Sequence, residues 1–119
     1  MIRTALITAI AAFGCSLSSS QAAGFMTAQQ LVLACKADMD SPERQKCYSY
    51  LEGALDGMEF ARVDGPKGKI CLPNEVTLEE IRLAYLRLAP EFISAFQAIG
   101  DMSAALVLEK VSTSAFPCN

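Results

Sequence analysis

Five cysteines and no histidine set the chemistry open to this 119-residue chain. A thiol beside an imidazole makes a nucleophile, and thiols at C-x-x-C spacing make a zinc site. Neither arrangement is present, because the cysteines stand apart at 15, 35, 47, 71 and 118. Without histidine there is no Ser–His couple and no imidazole general base. Carboxylates are plentiful, yet no pair of them stands out from ordinary surface charge. The sequence therefore offers no catalytic residue, no metal ligand and no cofactor-binding motif, and argues against an enzyme. Widely spaced thiols in an exported protein form disulfides instead.

Export is written in the first residues. Arg3 is the only charge before Lys36, and Ala5 to Gly14 reads ALITAIAAFG. That run has the length of a signal-peptide core and is too short to span a bilayer. Ser20-Gln21-Ala22 places small residues at the positions signal peptidase reads, so cleavage is expected after Ala22. Residues 1–22 are then a signal peptide, and residues 23–119 form one exported domain. Lipidation at Cys15 is the less favoured alternative, since Phe13 fills a position that prefers a small side chain. The whole chain carries 10 basic and 13 acidic residues, a net charge of −3. With no basic patch in view, a nucleic-acid ligand is excluded.

Helix signals dominate the rest. Thr27-Ala28-Gln29-Gln30 and Thr77-Leu78-Glu79-Glu80 are capping boxes, and Ser41-Pro42-Glu43 is a third helix start. The first helix carries Leu31, Val32, Leu33 and Cys35. Between Glu43 and Arg62, Cys47, Leu51, Ala54, Leu55, Met58 and Ala61 recur on one face, with Gly53, Asp56 and Gly57 opposite. Asp64 to Gly68 reads as a loop. The helix opened by Thr77 buries Leu78, Ile81, Ala84, Tyr85 and Leu88, and Pro90 is expected to end or kink it. Glu91 to Ile99 reads as a separate short helix. Gly100-Asp101 interrupts, and Asp101 is placed to cap a last helix with Ala104, Val107, Leu108 and Val111 inward. No segment shows sustained strand alternation. The expectation is an all-α bundle of four to five helices stapled by two disulfides.

The four cysteines of the mature chain allow three pairings. In an antiparallel hairpin Cys35 and Cys47 come level, within the roughly 4–7 Å Cα separation a disulfide needs. That geometry favours Cys35–Cys47 and leaves Cys71–Cys118 to tie the start of the third helix to the C-terminus. Pro73 and Pro117 hold the flanking backbone extended.

The same residues form a wider pattern. Leu31-x3-Cys35 is followed by Cys47-x2-Tyr50-x2-Gly53-x2-Asp56, then Cys71-Leu72-Pro73-x2-Val76-Thr77, Ala104-Ala105-x-Val107 and Phe116-Pro117-Cys118. This resembles the Rap/Tai family of immunity proteins, over nearly all the mature chain. The resemblance implies a small disulfide-bonded all-α periplasmic protein, often dimeric. Such a protein binds a peptidoglycan amidase effector delivered by type VI secretion and blocks its active-site cleft with a protruding inter-helix loop. The segment between Pro90 and Ala104 is longer than the family pattern leads one to expect.

Three groups of residues are candidates for contact with partners. Gln97, Gly100 and Asp101 lie where the inhibitory loop would fall. Leu83 and Leu86 sit among Glu79, Arg82 and Arg87 and would serve a homodimer interface. Gly53 and Gly57, flanking Asp56, either admit a partner helix or relieve crowding within the domain, and the second reading is favoured because glycine inside a helix needs a packing reason. A chaperone-like envelope protein is the alternative function; the lack of histidine removes its natural sensor near neutral pH. For export, intact-mass measurement of the periplasmic protein is expected to give a chain starting near Ala23. An acylated Cys15 at the N-terminus would overturn the signal-peptide assignment.

Overall fold

Each of the three helix starts read from capping chemistry opens a helix. The computed structural model describes residues 25–63, 70–97 and 101–118. The signal segment with Ala22 and Cys15, the 64–69 loop and Gly100 lie outside the described residues, as do the side chains of residues 60–63, Ala61 among them. Four helices form: α1 (Ala28–Lys36), α2 (Pro42–Val63), α3 (Leu78–Ala95) and α4 (Ala104–Ala115). Among the described residues the only extended pairing is two isolated bridges, Thr27 with Ser103 and Ile70 with Pro117.

Both capping boxes close as expected. The Gln30 N–H donates to Thr27 Oγ1 at 3.2 Å while the Thr27 N–H donates to Gln30 Oε1 at 2.9 Å. Thr77 and Glu80 repeat the exchange at 3.2 and 2.7 Å. Ser41 Oγ accepts from the Arg44 N–H, so Pro42 sits at the first helical position, where a missing N–H costs nothing.

α1 packs against α2, α3 and α4, α2 also packs against α3, and α3 against α4. The core takes Leu31, Val32 and Cys35 from α1, Cys47, Leu51 and Leu55 from α2, Ile81, Ala84, Tyr85 and Ala89 from α3, and Ala104, Val107, Leu108 and Val111 from α4. Leu33 departs from expectation: it is 61% exposed, because Leu31, Val32, Ala34 and Cys35 already fill the inward face of so short a helix. The disulfides Cys35–Cys47 and Cys71–Cys118 form as paired above, each with a Cα separation of 5.0 Å. Closing loops of 12 and 47 residues, they stabilise the fold by about 3 and about 4 kcal/mol on the chain-entropy account.

Three expectations are corrected. Pro90 does not end α3, which runs through it to Ala95. Glu91 to Ala95 thus belong to α3 and do not open the separate Glu91 to Ile99 helix expected, whose last two residues lie outside the described ones. Pro90 is exposed, so the Leu86 carbonyl it leaves unbonded can turn to water, while Ala89, Phe92 and Ile93 hold the far half on the core. Asp101 does not cap α4; Ser103 does, its Oγ accepting from the Leu106 N–H at 3.3 Å. The bridge to Thr27 sets that register two residues later than the sequence pattern implied.

The third correction concerns Gly53. A Cβ built at Gly53 or Gly57 would meet nothing within 4 Å, so neither glycine relieves crowding in the chain. Gly53→Ala and Gly57→Ala are each expected to raise unfolding free energy by about 0.5–1 kcal/mol, the helix-interior penalty of glycine. Urea denaturation checks this, and a lowered midpoint would reveal an atom packed on that face.

Candidate functional site

Arg44 of α2 and Glu79 and Arg82 of α3 meet at the C-terminal end of α1. There the last carbonyls have no partner within the helix, and the dipole favours cations. Two buried arginines supply them. Arg82 of α3 donates through Nη1 to the Cys35 carbonyl at 2.9 Å, and Arg44 of α2 donates through Nη2 to the Ala37 carbonyl at 2.7 Å. Both side chains are buried. Glu79 grips Arg82 in a two-pronged pair through Nε and Nη2. The Tyr48 hydroxyl donates to Glu79 Oε2 at 2.7 Å, and the Arg44 guanidinium lies 5.9 Å from the Tyr48 ring centre. The hydrogen bonds from Arg82 and then Tyr48 hold the Glu79 carboxyl at about 2, down from 4.5. Apart from Arg44 Nε, which is buried without a partner, the polar groups of this cluster bond one another or the α1 carbonyls, which makes it a structural lock.

The opposite end of α1 is different. Extended backbone at Met26–Ala28 pairs with Met102–Ala104: the Ala28 N–H donates to the Met102 carbonyl at 2.8 Å and the Ala104 N–H to the Met26 carbonyl at 2.9 Å. This pairing brings the start of α1 beside the end of α3 and leaves an open cleft of about 410 Å³. Its lining is Thr27, Ala28, Gln29, Ile93, Gln97, Asp101 and Met102.

Gln97 and Asp101, singled out by sequence, thus line one cleft, and Gly100 between them lies outside the described residues. Thr27, Gln29, Ile93 and Met102 were not foreseen as lining. No local signal marks them, since packing of α1 on α3 together with the Thr27–Ser103 bridge brings these distant segments together. Among the described residues, no hydrogen bond or ion pair engages the side chains of Gln29, Gln97 or Asp101.

Leu83 and Leu86 do not form a joint exposed pair. Leu83 is 52% exposed, whereas Leu86 is partly buried and packs on the core, because it falls on the α3 flank that adjoins it. No group of three or more His, Cys, Asp or Glu able to hold a metal exists among the described residues. No described helix is long and apolar enough to cross a membrane.

A four-helix domain with two disulfides and an uncommitted polar cleft is the frame of a binding protein. Over residues 27–118 it matches the Rap1a immunity proteins, and the chain belongs to that family. No curated protein and no solved structure matches it significantly.

The lock at the C-terminal end of α1 has a measurable consequence. Glu79 is depressed below its unfolded value, so its contribution is complete above pH 4.5 and falls away as pH drops toward 2. The carboxylate side chain is 45% exposed, so solvent screens much of that contribution. Urea midpoints followed across this range are expected to fall for the native protein and to stay flatter for Glu79→Gln. Arg82→Ala strands the Cys35 carbonyl and is expected to lose about 2–3 kcal/mol; an unchanged midpoint would refute the lock.

Proposed function

We propose that this chain is exported to the periplasm, where it binds a peptidoglycan amidase effector of type VI secretion and inhibits it by occluding the active-site cleft. Membership of an immunity family supports the protective role, which is that of an inhibitor and not of a catalyst. The observation that carries the finer reading is the position of Gln97 and Asp101. They bracket the α3–α4 connection, face a common cleft and spend no hydrogen bond within the described fold.

A protruding inhibitor has to be stiff at its base, because ordering a loose segment on binding subtracts from affinity. Both flanks are held. α3 reaches Ala95 on packing by Phe92 and Ile93, and the two backbone hydrogen bonds around Ser103 pin the start of α4. At the far end of α4, Cys118 is bonded to Cys71, and the Cys71 N–H donates to the Phe116 carbonyl at 3.1 Å. The connection therefore meets a partner from a fixed platform.

The test replaces Gln97 and Asp101 together by arginine and follows inhibition of the cognate amidase alongside thermal unfolding. Lost inhibition at unchanged melting temperature is the expected result. Full inhibition by the stable double variant would move the contact elsewhere, with the 64–69 loop next in line.

A further inference from the structure

The cleft between α1 and the α3–α4 connection has a chemistry of its own. At about 410 Å³ it falls within the range of roughly 300–1,000 Å³ usual for ligand sites. Ala28, Ile93 and Met102 give it apolar walls, while Gln29, Gln97 and Asp101 give it polar ones. Among the described residues the lining holds one carboxylate and no cation. The three polar side chains are uncommitted among the described residues, in contrast to Glu79 and Arg82, whose charges are used up inside the fold.

We propose that this cleft is a receptor for one cation-tipped side chain, lysine or arginine, presented by a loop of the bound effector. The identity of the bearer rests on the immunity reading above; the chemistry of the cleft does not. A long aliphatic stem lies along the Ile93 and Met102 walls, as lysine and arginine stems do on apolar surface. The cation at its tip meets the Asp101 carboxylate and the carbonyl oxygens of the Gln29 and Gln97 amides. An acidic side chain would be repelled by Asp101. An apolar one would strip water from three polar groups and return no hydrogen bond. The chain's net charge of −3 favours approach of a basic surface over the longer range.

The test uses the mature chain and three capped peptides, acetyl-Gly-X-Gly-amide with X lysine, norleucine or glutamate, followed by nuclear magnetic resonance. The lysine peptide is expected to shift the side-chain amides of Gln29 and Gln97 and the Met102 methyl, saturably and in the millimolar range. Norleucine keeps the stem without the charge, and it and glutamate are expected to leave these signals in place. Asp101→Asn should weaken the lysine peptide about three- to five-fold, as for a solvent-exposed ion pair, and added salt should act in the same direction. Equal shifts with norleucine, or no shift at the cleft with lysine, would overturn the proposal.

The titration needs no effector, so it fails independently of the immunity reading. Lysine binding together with full inhibition by the Gln97/Asp101 arginine variant would keep the pocket and remove the effector as the bearer. Lost inhibition without lysine binding would keep the contact and overturn the basic side chain.

Discussion

Helix α1 has only nine residues, below the roughly 12–15 at which an isolated helix is even marginal in water. It nevertheless lies against all three of the others, and its buried side chains stand at the centre of the core. The fold is therefore a set of solutions to one problem, how to finish both ends of a helix too short to hold itself. At the C-terminal end, Arg82 and Arg44 reach in from α3 and α2 to the Cys35 and Ala37 carbonyls, and the Cys35–Cys47 bridge fixes the distance. At the other end, Thr27 closes the capping box, Met102 takes the Ala28 N–H, and the buried Tyr85 hydroxyl donates to the Ala28 carbonyl at 3.1 Å.

The two ends differ in what they leave over. The C-terminal end gathers four charged or hydroxyl side chains and consumes them, with Glu79 paired so closely that its carboxyl is held at about 2. Burial likewise pushes the Tyr85 hydroxyl well above its ordinary value, so it stays a neutral donor at any ordinary pH. The N-terminal end is completed by the capping box, the Tyr85 hydroxyl and backbone pairing with Met102–Ala104. The side chains of Gln29, Gln97 and Asp101, which spend no hydrogen bond among the described residues, lie there and not in the denser charge cluster. The two ends of one short helix are thus finished by different means, buried arginines at one and a capping box with backbone pairing at the other.

The long-range disulfide acts between α3 and α4. Cys71 precedes α3 and Cys118 follows α4, and the Ile70–Pro117 bridge runs beside them. The two helices that frame the α3–α4 connection are thus tied again at the end remote from it.

The sequence alone determined what depends on neighbours along the chain. Capping boxes at Thr27 and Thr77, proline at the start of α2, and apolar spacing in α2 and α4 each act within a few residues, so they were legible and the helices follow them. The cysteine pairing was legible for a related reason, since helix order brings those positions level. Tertiary contact decided the rest. Pro90 is a breaker on local grounds, yet packing by Phe92 and Ile93 carries α3 past it. Asp101 looked like a cap, yet the Thr27–Ser103 bridge shifted the start of α4 and turned Asp101 toward a cleft. Gln97 and Asp101 were visible as polar residues near a break, whereas Gln29 and Ile93 became their neighbours through the packing of α1 on α3 together with that bridge. The bridge joins residues 76 positions apart, and no pattern within a helical turn encodes a contact of that range.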